Sequence, residues 1–170
     1  CALPISVSKK TIDVEFWTSA IGAKRERDAY VRTKTDSEGR IEFLFLHFIL
    51  RRSNWVQETL PYGLPSDISR LRRLKTLELS GCNRLPIELA SLTLLETIEL
   101  KNCPRELFET MPRDFEFPPS LQEIRVVNTR FHDRASLGRF LGALPNGLQR
   151  LSFDGAWRAE ASDILSALQP

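Results

Sequence analysis

The chain has 170 residues, a formal net charge of +2, 42% hydrophobic and 27% charged residues, the balance of one ordinary globular domain with a single sizeable core. Charge is not concentrated: residues 1–60 carry 10 basic and 8 acidic groups and residues 61–170 carry 14 of each, which argues against a nucleic-acid binder. No apolar run reaches the roughly 20 residues that cross a bilayer, since the longest, 41–50, is interrupted by Glu42 and His47.

The chain opens at Cys1 without the basic-then-apolar order of a signal peptide and reads as a fragment or a processed piece. Residues 11–16 alternate, with Ile12, Val14 and Phe16 on one side and Thr11, Asp13 and Glu15 on the other, which predicts a half-buried strand. The charge run 24–28 reads as a solvated loop or short helix. Residues 30–35 and 40–50 flank Asp36, Ser37, Glu38 and Gly39, a polar link ending in glycine that predicts a hairpin. Residues 1–50 are thus expected to form a β-rich cap over the N-terminal end of residues 51–170, or to be the remnant of a preceding domain.

From residue 74 a hydrophobic pattern is written repeatedly. Leu74, Leu77, Leu79 and Cys82 recur 21 residues later as Leu95, Ile98, Leu100 and Cys103; 26 residues on as Leu121, Ile124, Val126 and Thr129; and 27 further as Leu148, Leu151, Phe153 and Ala156. Four short strands are expected near 75–80, 96–101, 122–127 and 149–154. A half unit precedes them: Leu64, Pro65, Ile68 and Leu71 lie 21 residues before Leu85, Pro86, Leu89 and Leu92, while the residues around Trp55 match poorly and predict an irregular first unit.

The extra residues of the later units fall between the strands. Pro112, Pro118 and Pro119 leave room for a short helix near 105–110 only. Leu137, Phe140, Leu141 and Leu144 have helical spacing over 135–144, and Ile164, Leu165 and Leu168 repeat it over 160–168. Pro145, Asn146 and Gly147 end the first of these helices. One unit cannot bury its own aliphatic residues, but stacked units can share a core. The position held by Cys82, Cys103, Thr129 and Ala156 then turns inward, where a small side chain with a weak donor meets main-chain carbonyls. Two cysteines in equivalent places, in an odd total of three, suit a reduced compartment; a Cys82–Cys103 disulfide on neighbouring units stays sterically open. No Cys-x-x-Cys pair exists and His47 and His132 lie in different segments, so no zinc site is expected.

With these residues the chain resembles the leucine-rich-repeat superfamily over about residues 60–170. Residues 64–68 through Leu77-Glu78-Leu79-Ser80-Gly81-Cys82 are similar to the cytoplasmic repeats of plant disease-resistance receptors, and the 26- and 27-residue units to the ribonuclease-inhibitor-like type. Leu144-Pro145-Asn146-Gly147-Leu148 resembles the returns of secreted bacterial effectors. Thr129 and Ala156 depart from the Asn or Cys usual at their position. The resemblance implies an α/β solenoid over residues 51–170 with a parallel concave sheet, helices or turns on the convex side, and a protein ligand on the concave face.

On that face three outward columns are expected: Thr76, Thr97, Glu123 and Arg150; Glu78, Glu99, Arg125 and Ser152; Ser80, Lys101, Val127 and Asp154. Glu78 beside Glu99 should repel mildly, a hint of a basic partner group, with neutralisation by Lys101, Arg125 and solvent as the alternative. No catalytic constellation is expected. His132 beside Asp133 has no Ser or Cys partner by spacing, His47 sits in an apolar strand, and Gly22-Ala23-Lys24 lacks the remainder of a phosphate loop. Arg70, Arg72, Arg73 and Lys75 read as flank solvation, since no aromatic residue interleaves them to stack bases. The expectation is a cytoplasmic, monomeric, non-catalytic binding module with no cofactor, metal, membrane or nucleic-acid partner. The rival is the substrate-reading part of a ubiquitin-ligase effector whose catalytic domain lies outside these residues.

Overall fold

Apolar residues at every second place give each short stretch one face that avoids water and one that tolerates it. A computed structural model, which describes residues 29–48, 63–131 and 133–155, folds these stretches into one six-stranded sheet. The strands are β1 (Ala29–Thr35), β2 (Ile41–Phe48), β3 (Thr76–Ser80), β4 (Thr97–Lys101), β5 (Glu123–Val127) and β6 (Arg150–Asp154), and they neighbour one another in chain order. The last four each start one residue later than the expected spans.

The sheet is open and mostly parallel, within a mixed α/β fold. β1 and β2 form an antiparallel hairpin, and every later pair is parallel. The sheet is thus only partly parallel, where a parallel sheet was expected. β2 hydrogen-bonds alongside β3, with Phe43 opposite Thr76 and Leu46 opposite Leu79, so the hairpin extends the same sheet. Its turn is set by Asp36, whose carboxylate accepts the N–H groups of Glu38 (2.9 Å) and Arg40 (2.8 Å), while Gly39 adopts φ 78°. The strand expected at 11–16, the charge run at 24–28, the region around Trp55 and the helix expected at 160–168 lie outside the described residues, as do His132 and Ala156.

Register follows the sequence repeat. Leu44, Leu77, Ile98, Ile124 and Leu151 stand side by side across five strands, and so do Leu46, Leu79, Leu100, Val126 and Phe153. All but Leu151 and Phe153 on the last strand are buried, and burying one such side chain is worth about 1.5–3 kcal/mol. The residue before each strand locks the stack: the amides of Lys75, Glu96, Gln122 and Gln149 donate to the carbonyls of Glu42, Lys75, Glu96 and Gln122 at 2.8–2.9 Å.

The returns cover the apolar side. Before β3 and β4 they are one turn of 3-10 helix, Ser66–Arg70 and Ile87–Ser91, each opened by a proline whose carbonyl accepts the amide of Ile68 or Leu89 at 3.1 Å. Before β5 and β6 they contain α1 (Glu106–Glu109) and α2 (Arg134–Gly142), and α2 starts in a capping box between Asp133 and Ser136. Among the described residues no helix is long and apolar enough to cross a membrane.

Candidate interaction face

To stack in register, the chain must turn sharply at the same point after each strand. Gly81 (φ 72°), Asn102 (48°), Asn128 (48°) and Gly155 (62°) all adopt the left-handed conformation that glycine and asparagine tolerate best. The first three N–H groups reach across to the last strand carbonyl of the following unit, Lys101, Val127 and Asp154, at 2.8–2.9 Å. These positions repeat with the same 21-, 26- and 27-residue steps as the leucines. A Gly/Asn column was therefore present in the sequence, and its signal lay in residue type instead of hydrophobicity.

One residue further the chain turns inward. Cys82 Sγ donates to Arg84 O at 3.1 Å and Cys103 Sγ to Lys101 O at 3.4 Å; the Thr129 hydroxyl donates to Val127 O at 3.0 Å and accepts the Cys103 N–H at 3.1 Å. Cys82 and Cys103 are free and buried, and thiols enclosed by apolar neighbours resist ionising. Burial pushes Cys82 up to about 11 and moves Cys103 further upward, the neighbouring Cys82 adding to the effect. At neutral pH both stay protonated, poor as nucleophiles and as metal ligands. Among the described residues no group of three His, Cys, Asp or Glu side chains gathers closely enough to hold a metal ion.

The other side of the sheet carries the twelve expected residues as three rows of neighbours. Thr76, Thr97, Glu123 and Arg150 form one; Glu78, Glu99, Arg125 and Ser152 the next; Ser80, Lys101, Val127 and Asp154 the third. Exposure within the rows is uneven. Arg125, Arg150, Ser152 and Asp154 are exposed, and Thr76, Glu78, Thr97, Glu99, Lys101 and Val127 are half-buried. Ser80 and Glu123, expected to be open, are buried, at 3% and 9% exposure. Ser80 is held between His47 and Lys101 in register. Glu123 is covered by Arg125 Nε at 2.6 Å and by an Arg150 guanidinium nitrogen at 2.9 Å.

These pairings decide how the charges are distributed. The hydrogen bond from Arg125, followed by the attraction of both arginines, holds the Glu123 carboxyl below the usual carboxylate range. Lys101 Nζ sits 2.8 Å from Glu99. Arg125, expected to relieve the Glu78–Glu99 pair, is turned to Glu123 and acts on those two carboxylates only at longer range. Among the described residues Glu78 has no direct ion pair.

Sequence reasoning missed the part of this face contributed by the hairpin. Register continues the rows through Phe43, Phe45 and His47 on β2 to Lys34, Arg32 and Tyr30 on β1. Tyr30 is 49% exposed, and Phe43, Phe45 and His47 are half-buried. Phe45 packs edge-on to Tyr30 with centroids 6.1 Å apart and lies 6.2 Å from the His47 ring. Arg32 sits over Tyr30 at 5.7 Å and Lys34 over Phe43 at 5.3 Å. The signal was that β2 is apolar at both alternations, Leu44, Leu46 and Phe48 inward and Phe43 and Phe45 outward.

The basic cluster is divided by the fold. Lys75 pairs with Glu42 at 2.8 Å and Arg70 lies 3.6 Å from Asp67, while Arg70, Arg72, Ser69, Ser91 and Thr93 line an open groove of about 660 Å³ between the two 3-10 turns. No protein-family model, curated protein or solved structure matches this chain.

Proposed function

We propose that the chain is a non-catalytic protein-binding module of the leucine-rich-repeat type, its units stacked as a solenoid, and that it captures a protein ligand on the polar face of its sheet. The observation that carries this reading is the register itself. Five parallel strands align two rows of apolar residues inward, and over β3–β6 the same register holds mostly short and charged side chains in rows on the opposite face. Aligned rows on a rigid sheet form a surface whose shape costs little ordering to present, a favourable basis for recognition. Two protonated, buried, unpaired thiols support a reduced, cytoplasmic setting. The test is charge reversal on a partner recovered by affinity capture: Glu78→Lys with Glu99→Lys, at unchanged circular dichroism, is expected to weaken binding about tenfold or more. Unchanged affinity would move the site to the flank or to the returns.

A further inference from the structure

Charge on the outward face is arranged along the sheet, not scattered over it. At one edge β1 presents Arg32 and Lys34, both exposed and both lying over aromatic rings, with no carboxylate in contact among the described residues. Two strands away β3 presents Glu78, whose neighbours in the row are Phe45 and Glu99. Glu99 already has Lys101 at 2.8 Å, and the positive groups beyond it, Arg125 and Arg150, are both held by Glu123. Among the described residues, the charges around Phe45 without a contacting counter-ion are therefore Arg32 and Lys34 on one side and Glu78 on the other, while Asp154 stands apart from them on β6. Tyr30 and His47 pack against the Phe45 ring and hold it half-exposed between them.

We infer that the partner is a peptide segment laid across β1–β3, with an acidic residue facing Arg32 and Lys34, an apolar side chain on Phe45 and a basic residue at Glu78. This rests on the protein-binding reading and deepens it. Adjacent strands stand about 4.8 Å apart, so β1 and β3 are about 10 Å apart, a span that about three residues of extended chain cover. The ligand's acidic and basic residues are thus about two to four positions apart with an apolar residue between them. Arg32, Lys34 and Glu78 each meet an opposite charge, and the aromatic ring loses water to an apolar contact, which fixes orientation because the reversed peptide brings like charges together.

The probe is a displayed library of random peptides panned on the full 170-residue chain, with enriched peptides then synthesised and titrated. The expected result is enrichment of sequences with an acidic and a basic residue flanking an apolar one. These should lose about tenfold or more in affinity for Glu78→Lys and for Phe45→Ala, and about threefold or less for Glu99→Gln, whose charge is already paired. A peptide with its two charges exchanged should bind the double variant Arg32→Glu/Glu78→Lys in preference to the wild type. All four positions face away from the core, and an unchanged urea midpoint confirms that each variant is folded. Enriched peptides that ignore Glu78→Lys but respond to Arg125→Glu would overturn this placement while leaving the protein-binding reading in force, as would peptides of a single charge sign. Enrichment of nothing would count against both.

Discussion

The units that end in β3 and β4 return through a single turn of 3-10 helix and close over leucines, whereas those that end in β5 and β6 return through α1 and α2 and close over phenylalanines. Strand register is the same in both regions. The difference lies behind the sheet. Strands neighbour one another at about 4.8 Å whatever connects them, but an α-helix with its side chains is about 10 Å across. Units with helical returns therefore open space behind the strands that leucines would leave unfilled. Phe108, Phe131 and Phe140 occupy it, with Phe108 stacked on Phe131 at 4.0 Å and Phe140 edge-on to Phe108 at 5.3 Å and to Phe117 at 5.7 Å. Return length and core side-chain volume are matched to each other, and the strands are indifferent to both.

The largest expected effect breaks that match directly. Phe140 is fully buried and touches the aromatic rings of the return before β5 and of β6, so Phe140→Ala should lower stability by about 3–5 kcal/mol in a urea titration. The converse substitution in the leucine region, Leu92→Phe, adds volume where none is free and should cost about 1–3 kcal/mol. If Leu92→Phe proved neutral, the narrow units would hold spare room and the proposed matching would fail.

A second test concerns the turn that both regions share after each strand. At Gly81 a Cβ would approach the carbonyl oxygen of Phe48 to 2.5 Å on a backbone at φ 72°, so Gly81→Ala should cost at least about 1–2 kcal/mol. The equivalent Asn102 already bears a side chain at φ 48° and has solvent around it; Asn102→Gly should stay within about 0.5 kcal/mol. A loss for Gly81→Ala no greater than for Asn102→Ala would mean that the turn, and not the contact with β2, sets the requirement for glycine.

The inward position tests the aromatic region once more. Thr129→Val keeps the shape but leaves the Cys103 N–H, at present 3.1 Å from the Thr129 hydroxyl, without its acceptor. Stranding one buried donor should cost about 1–3 kcal/mol. Thr129→Ser, which retains the hydroxyl, should recover most of that loss.

How much of this was readable beforehand depended on whether the signal was local. Leu77, Ile98, Ile124 and Leu151 announced their shared row because the repeat steps are constant within each unit and period-2 alternation assigns a face. The joining of β2 to β3 was not readable, because 27 residues lie between Phe48 and Thr76 and nothing in either stretch encodes the pairing. Burial of Ser80 and Glu123 escaped for a related reason: Glu123 is covered by Arg125 on its own strand and Arg150 on the next, Ser80 lies between His47 and Lys101, and period-2 logic describes direction, not cover. The aromatic end of the outward face was hidden because the hairpin was read as a cap without being placed in the register of the sheet.

The smallest effect concerns charge and distinguishes the two ends of the face. Glu123 ionises more readily folded than unfolded because Arg125 and Arg150 hold its carboxylate. The unfolded chain therefore takes up its proton first as pH falls. The stability it contributes is present above the ordinary carboxyl value and is lost as pH drops through the lower folded value. Asp36, whose carboxylate accepts the Arg40 amide and pairs with its guanidinium, is shifted the same way at the hairpin. Between pH about 5 and about 3 the urea midpoint should fall; Glu123→Gln should flatten that fall and Asp36→Asn should flatten it independently. Salt should shrink the Glu123 contribution, which rests on exposed arginines, more than the Asp36 contribution, which rests first on backbone N–H groups. An unchanged acid slope in Glu123→Gln would mean that the two arginines do not stay on that carboxylate in solution, leaving Arg125 available to Glu78 and Glu99 and removing the charge arrangement from which the partner's chemistry was inferred.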